Sequence, residues 1–230
     1  MTPRTKEQNE EIRLRRLAQI RMAAADVFLD KGLTLEIRDV AAEAGLGYGT
    51  VYHYYSNKGD LLHDVLWTAM DRAGEWMGRG APGDIHPKEG IDSKADPLVA
   101  EGARLLKLWA EDHGVYLLYK LAAEDFRLLP EARALPLTDA FRREVLLPFA
   151  AVLRRGQPLD PGEIVASGTA DRGANAAEQV SQAEMLLAAL AGCASFPLRR
   201  GTLDREAEGI ARLLLHRLSE RTIPDGPLKE

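Results

Sequence analysis

Apolar residues recur at helical spacing through most of the chain, and the clearest case is a pair of short segments near the amino terminus. One face of residues 37–44 carries a stripe at positions i, i+3, i+4 and i+7: Ile37, Val40, Ala41 and Ala44. Gly45 follows and supplies the backbone freedom that ends a helix abruptly. The next segment, Tyr48–Tyr54, is expected to bury little except Val51 and the adjoining Tyr55, and to display rings and hydroxyls. The pattern predicts a helix, a tight turn and a second short helix.

The same spacing predicts the other helices. A long helix is predicted over residues 12–31, closed by Gly32, and a fourth helix over residues 58–77, capped by Ser56 or Asn57. Helical patterns resume at 98–111, 115–128, 137–154, 174–194 and 203–221, with Gly/Pro-rich loops predicted at 78–97 and 156–173. Residues 1–11 are polar and are expected to fray.

Composition agrees with a helical protein that buries a sizeable core. Hydrophobic residues make up 46% of the 230 residues, aromatic residues only 6%, and leucine and alanine are abundant. The expected fold is all-α, with an N-terminal three-helix helix-turn-helix domain followed by a helical bundle. The predicted boundaries are residues 1–60 for the first domain, 61–222 for the second and 223–230 for a disordered tail.

The charge distribution favours a nucleic-acid partner more than the net charge of −5 suggests. Residues 1–60 hold nine basic and nine acidic side chains, so the remainder of the chain carries the whole negative excess. Within the first 21 residues there are six basic and three acidic side chains. This local basic excess lies beside the predicted helix-turn-helix, where DNA phosphates would be.

The single cysteine, Cys193, excludes an internal disulfide and is expected to be a small buried hydrophobe. The amino terminus lacks the apolar stretch of a signal peptide, and no segment approaches the ~18 apolar residues of a membrane span. We therefore expect a soluble, cytoplasmic protein that makes no contact with a membrane.

Two other classes of site are weighed at the sequence level. The glycines in Gly45-Leu-Gly-Tyr-Gly49 follow a helical segment, whereas a dinucleotide site needs a strand there. Glu111, Asp112 and His113 are consecutive, and neighbours on a helix point in different directions and cannot share a metal. No paired-histidine zinc motif, nucleophile elbow or P-loop is present. We expect no catalytic activity, metal or cofactor.

Residues 12–66 resemble the TetR family of bacterial transcriptional regulators. The resemblance rests on Ile20…Ala23-Ala24…Phe28…Gly32, on Val40-Ala41…Ala44-Gly45, and on Gly49-Thr50-Val51-Tyr52-His53-Tyr54-Tyr55…Lys58…Leu61-Leu62. It covers about a quarter of the chain. It implies a homodimeric, ligand-responsive regulator that is most often a repressor, binds a palindromic operator and is released by a small apolar or amphipathic effector.

The resemblance, together with the exposed character of the second short helix, predicts the side chains that contact double-stranded DNA. Hydroxyls, rings and an imidazole suit a major groove, and a lysine at a helix start adds charge near phosphates. The predicted DNA-binding residues are Thr34, Tyr48, Gly49, Thr50, Tyr52, His53, Tyr54 and Lys58.

The resemblance also implies an apolar effector pocket and a dimer interface in the C-terminal bundle. The residues predicted to line the pocket are Trp109, His113, Tyr116, Tyr119, Phe126, Phe141 and Phe149. The last two long helices are expected to pair with their copies through Val180, Leu186, Leu187, Leu190, Ile210, Leu213 and Leu214.

Two positions depart from the family pattern and leave a second function open. Family members usually carry Ser or Thr at the position of Glu36, where the hydroxyl caps the second helix and contacts a phosphate. They usually carry Ser at the position of Gly47. Glu36 would repel phosphate, and Thr34 is the alternative cap. The other interpretation is therefore a small-molecule-binding or adaptor protein whose helix-turn-helix has lost DNA affinity.

Overall fold

The computed structural model describes residues 5–79, 96–156 and 169–219. These residues form ten α-helices. The amino-terminal part holds α1 (Lys6–Lys31), a 3₁₀ turn (Gly32–Thr34), α2 (Ile37–Glu43), α3 (Tyr48–Tyr54) and α4 (Lys58–Arg79). The bundle adds α5 (Pro97–Glu111), α6 (His113–Ala122), α7 (Glu131–Phe141), α8 (Leu147–Gly156), α9 (Thr169–Arg199) and α10 (Leu203–Ser219), with a π-helical turn (Arg142–Leu146) between α7 and α8. The all-α expectation is confirmed.

The predicted order of helices is confirmed, and α1 shows where local chemistry extended a helix beyond its apolar pattern. Residues 6–11 are helical rather than frayed. The Thr5 hydroxyl accepts a hydrogen bond from the Gln8 backbone N–H at 3.2 Å, and the Gln8 side chain accepts from the Thr5 N–H at 3.0 Å. This reciprocal cap satisfies backbone donors that would otherwise favour fraying. The predicted disordered tail and most of both predicted loops lie outside the described residues.

Two predicted bundle helices are interrupted. The helix expected over 115–128 ends at Ala122, after which Asp125 and Phe126 adopt left-handed backbone angles. The helix expected over 137–154 begins earlier, at Glu131, and widens into the π-helical turn. Pro148 explains that turn, because it has no N–H to donate and its ring would clash with the Glu144 carbonyl in a regular α-helix.

One hydrophobic core runs from the helix-turn-helix into the bundle. Side chains of α1, α2, α3 and α4 are continuous with those of α5 to α10 in a single buried cluster. Helix α4 lies at the centre of this arrangement, since it packs against α1 on one side and against α6, α7 and the π-helical turn on the other. The domain boundary predicted at residues 60/61 falls in its first turn. No helix in the described ranges is both long and apolar enough to cross a membrane.

Helices α5 and α10 lie close together at Gly102. A methyl group added at Gly102 would lie 2.3 Å from Leu215 Cδ1 and 3.4 Å from Ala211 Cβ, and both of those side chains are buried. The absence of a side chain at this position therefore allows the two helix backbones to lie close together.

Gly102→Ala should lower the free energy of unfolding by about 1–2 kcal/mol, because overpacking in the core outweighs the gain in helix propensity. Urea denaturation measures the change. Gly209→Ala is the matched control, since its new methyl meets no atom within 4 Å and should stabilise α10 by up to about 1 kcal/mol. Equal stabilisation by both substitutions would show that Leu215 simply rotates away.

Candidate nucleic-acid interface and bundle cavity

The turn between α2 and α3 is built by hydrogen bonds that only a left-handed residue permits. Gly45 has φ +62° and its N–H donates to the Ala42 carbonyl at 3.1 Å, while the Leu46 N–H donates to the Ala41 carbonyl at 2.9 Å. This pair of bonds closes the end of α2 and directs the chain into α3. Gln19 of α1 strengthens the junction by donating to the Ala44 carbonyl at 2.6 Å.

Helix α3 buries one side and exposes the other. Val51 and Tyr55 are buried in the core, as the sequence predicts, and Tyr54 is half-buried. Tyr48 and Tyr52 are 54% and 50% exposed, and their rings stack with centroids 5.7 Å apart. Gly49 and His53 are exposed on the same short helix. Helix α3 therefore presents an aromatic and hydroxyl surface that its own subunit does not cover.

An open groove adjoins this surface. Leu35, Glu36, Ile37 and Arg38 form one side, and Tyr48, Tyr52, Ser56 and Lys58 form the other. The Lys58 ammonium group donates to the Leu33 carbonyl at 2.8 Å, and Arg38 pairs with Glu36 at 2.8 Å. Glu36 thus neutralises a cation that faces the groove.

The caps of α2 and α3 differ from the expected hydroxyl caps. The Thr34 hydroxyl donates to the Lys31 carbonyl at 2.8 Å and closes the 3₁₀ turn, so Thr34 does not cap α2. Instead, the Asp39 carboxylate accepts from the Glu36 N–H at 3.1 Å. Gly47 leaves α3 without a side-chain cap. At the start of α4, by contrast, the predicted Asn57 cap is present, with its side chain accepting from the Asp60 N–H at 2.9 Å.

Asp64, on α4, connects that helix to α1 and to the end of α3. Its carboxylate receives two hydrogen bonds from Arg21 of α1, at 2.7 and 3.2 Å, and a third from the Tyr55 hydroxyl at the end of α3. Burial alone would raise the pKa of Asp64, but the bonds from Arg21 and Tyr55 outweigh burial and lower it below the ordinary value. Burial and the same carboxylate raise the pKa of the Tyr55 phenol, which stays a neutral donor.

Further charged pairs join α4 to the bundle. Arg133 of α7 pairs with Asp60 at 2.6 Å, and Arg72 pairs with Asp112, between α5 and α6, at 2.5 Å. Farther along α4, a methyl at Gly74 would lie 3.3 Å from the Glu144 carboxylate of the π-helical turn. Helix α4 therefore contacts the end of α3 through Asp64 and the π-helical turn farther along, at Gly74.

A cavity of about 300 Å³ lies between α6, α7, the π-helical turn and α9. Three of the predicted pocket residues, Tyr119, Phe126 and Phe141, line it. Their rings are in edge contact, with Tyr119–Phe141 and Phe126–Phe141 centroid distances of 5.3 and 6.4 Å. Sequence reasoning missed Thr138, Leu146, Met185 and Ala188, which line the cavity from distant parts of the chain.

The other four predicted pocket residues lie elsewhere. Trp109 packs on Tyr119 with its ring centroid 4.9 Å away, and Phe149 is buried in the core. The Tyr116 hydroxyl donates to the Ala191 carbonyl at 3.2 Å. His113 is 2.5 Å from Asp26 of α1, so it links α6 to α1.

The two long C-terminal helices carry an exposed apolar strip. Leu213 of α10 is 75% exposed and Phe196 of α9 is 66% exposed; Met185 is exposed and Gly192 has open space around it. Of the predicted interface residues, Leu187 and Leu190 are buried within the subunit, whereas Val180, Leu186, Ile210 and Leu214 are half-buried. The burial expected for Cys193 is wrong: it is exposed, because Leu190, Ala191 and Ala194 occupy the inward face of α9.

The chain is similar to bacterial regulatory proteins. Residues 20–65 match the model of the bacterial regulatory proteins of the tetR family. A tetR-family regulatory protein from Rhodococcus RHA1 has 19% identity and a TM-score of 0.51, over 86% of this chain and 96% of that one. FadR from Bacillus subtilis, in complex with stearoyl-CoA, has 20% identity and a TM-score of 0.49, over 86% and 97% of the two chains. No curated protein sequence matches the chain.

Asp64→Asn should lower the free energy of unfolding at pH 7 by about 1–2 kcal/mol, a value reduced because the carboxylate is partly exposed. The lowered pKa means that the contribution is complete above the ordinary carboxyl pKa and is lost as the pH falls through the folded-state value. Urea denaturation from pH 7 to pH 3 should therefore show the wild-type advantage shrinking toward the acid end. Asp71→Asn, an exposed position on the same helix, is the control and should show little change. An advantage that is constant with pH would contradict the assignment.

Proposed function

We propose that the chain is a transcriptional repressor of the TetR family that binds a palindromic operator as a homodimer, since residues 20–65 match that family's model. A small effector entering the bundle cavity releases the DNA. The observation that carries the proposal is the exposed face of α3, held outward by the burial of Val51 and Tyr55. Acting on chromosomal DNA, the repressor works in the cytoplasm.

The exposed face of α3, which carries Tyr48 and Tyr52, enters the major groove. Tyr48, Thr50 and His53 face base edges, where the Thr50 methyl can contact thymine and the imidazole can donate or accept a hydrogen bond. Tyr52 donates its phenol to a phosphate oxygen, and Lys58 leaves the Leu33 carbonyl to bind a second phosphate. Gly49 lets the α3 backbone approach the duplex, since an added methyl would meet no neighbouring atom within 4 Å among the described residues.

Two subunits present their reading helices together. The exposed strip of α9 and α10 pairs with its copy, and the small residues around Gly192 permit close helix approach. The two α3 helices then lie about 34–36 Å apart, so that both enter one face of the duplex one helical turn apart.

Effector binding reaches the reading helix through α4. The π-helical turn lines the cavity through Arg142 and Leu146 and abuts α4 at Gly74. A ligand that prefers one position of this turn shifts α4, and α4 carries Asp64, which binds the Tyr55 hydroxyl. The spacing of the two α3 helices then no longer suits the operator. The shift is limited by the difference in the ligand's affinity for the two states.

Tyr52→Phe should weaken DNA binding roughly tenfold, because a phosphate loses one hydrogen bond to a charged acceptor while the stacked ring remains. Fluorescence anisotropy with the DNA segment upstream of the protein's own coding region measures the affinity. Leu147→Ala, an exposed change on α8, is the control and should leave affinity unaltered. Wild-type affinity should fall steeply as salt rises. Absent or salt-independent binding would favour the adaptor function, which the pairing of Arg38 with Glu36 also supports.

Glu36→Gln should have the opposite effect in the same assay. The substitution removes a negative charge beside the groove and frees Arg38 to bind a phosphate, so the affinity for DNA should rise severalfold. The slope of log affinity against log salt concentration should become steeper by about one, because one more counterion is released. Unchanged affinity would place Arg38 away from the DNA backbone.

Leu213→Glu should convert the dimer to a monomer, because it places a charge in an apolar strip that the partner covers. Sedimentation equilibrium measures the subunit association. Leu213 is 75% exposed in the single subunit, so folding should be retained, which circular dichroism checks. Leu147→Glu is the matched control, an exposed leucine outside the strip. A dimer that survives Leu213→Glu would locate the interface elsewhere.

A further inference from the structure

Two buried polar groups at the centre of the bundle have no hydrogen-bond partner among the residues that the structure describes. They are the indole N–H of Trp109 and the hydroxyl of Tyr119. Tyr119 is 2% exposed and Trp109 is fully buried, and their ring centroids are 4.9 Å apart. Leaving such groups unpaired is unfavourable and uncommon, so two neighbouring instances point to a function.

The neighbouring phenol of Tyr116 is also buried, but its hydroxyl has a hydrogen-bond partner within the protein. The Tyr116 hydroxyl, one turn before Tyr119 on α6, donates to the Ala191 carbonyl at 3.2 Å. The unpaired phenol is the one whose ring lines the cavity together with Phe126 and Phe141. Tyr119 therefore both lines the cavity and has the unpaired hydroxyl.

The backbone beside the cavity departs from regular geometry on two sides. Asp125 and Phe126 have φ +54° and +51°, consecutive left-handed angles that non-glycine residues seldom adopt. In the same lining, Arg142 and Leu146 belong to the π-helical turn. Unfavourable backbone angles and π-helical turns concentrate at ligand sites.

We propose that Tyr119 recognises a neutral hydrogen-bond acceptor, such as a ketone or ester carbonyl, on an otherwise apolar aromatic effector. This inference rests on the proposed function, which makes the cavity the effector site. A carbonyl oxygen can accept a hydrogen bond from the Tyr119 hydroxyl, which lines the cavity, whereas Trp109 lies behind Tyr119 and outside the lining. Apolar rings of the effector pack on Phe126 and Phe141.

The surroundings of Tyr119 exclude an anionic group at this depth. Burial, and secondly the negative charge of Glu101, raise the pKa of the Tyr119 phenol, which therefore remains a neutral donor. No charged side chain in the described part of the chain is buried, so no cation could compensate a carboxylate there. Among the described residues that line the cavity, the one basic side chain is Arg142, which is exposed, whereas Asp125 and Glu184 are acidic.

Three ligands with one ring system test the inference: 2-ethylnaphthalene, 2-acetylnaphthalene and 2-naphthoate. They offer no acceptor, a neutral acceptor and an anionic acceptor. By equilibrium dialysis, wild-type protein should bind the ketone roughly three- to tenfold more tightly than the hydrocarbon, and the carboxylate most weakly. Tyr119→Phe should abolish the preference for the ketone. A preference that survives this substitution, a tighter carboxylate, or no binding of any of the three would overturn the proposal.

Thermal unfolding without ligand tests the unpaired hydroxyl directly. Tyr119→Phe should leave the melting temperature unchanged or raise it, because it removes a buried polar group that has no partner. Tyr116→Phe is the matched control and should lower it by about 2–4 °C, since it removes a phenol that is hydrogen-bonded. A comparable drop in Tyr119→Phe would show that its hydroxyl already has a partner and would refute the inference.

DNA binding by both proteins, measured in the same preparation, separates this inference from the proposed function. Wild-type protein and Tyr119→Phe should bind the upstream DNA segment equally without ligand. DNA binding without selectivity for the ketone would refute the role of Tyr119 alone. Selectivity for the ketone without DNA binding would instead refute the repressor function.

Discussion

The carboxylate of Asp64 holds together the part of the molecule on which the interface depends. It lies on α4, accepts two hydrogen bonds from Arg21 of α1 and accepts one from Tyr55 at the end of α3. A seven-residue helix such as α3 has little stability of its own, since helix nucleation is unfavourable and short helices rely on packing. Its orientation is therefore set by Val51 and Tyr55, and Asp64 completes that attachment while leaving the opposite face of α3 free.

The same helix that carries Asp64 also connects the interface to the cavity. Asp60, Arg72 and Gly74 contact α7, the α5–α6 junction and the π-helical turn in succession. A densely packed contact of this kind responds to a ligand by moving between discrete arrangements rather than by deforming gradually. Under the proposed function, the continuous core joining the two parts of the chain would carry such a movement of α4 to α3.

The cavity combines apolar walls with unusual backbone, and both features trace to particular residues. Pro148, in the first turn of α8, prevents a regular α-helix from running unbroken from α7 into α8. The resulting π-helical turn forms one side of the cavity. Phe126, in left-handed backbone, forms another. The hydroxyl of Tyr119, whose ring lies in the same wall, has no hydrogen-bond partner among the described residues.

The sequence by itself determined the order and approximate limits of the helices, including α3 to the residue, since apolar periodicity and glycine stops are local signals. It also identified Val51 and Tyr55 as the buried side of α3. It did not determine the turn at Asp125 and Phe126, the neutralisation of Arg38 by Glu36 or the exposure of Cys193. These depend on which helix faces which, because packing between segments distant in sequence decides burial and pairing. For the same reason, only the tertiary structure separated Tyr119, which lines the cavity, from His113, which joins α6 to Asp26 of α1.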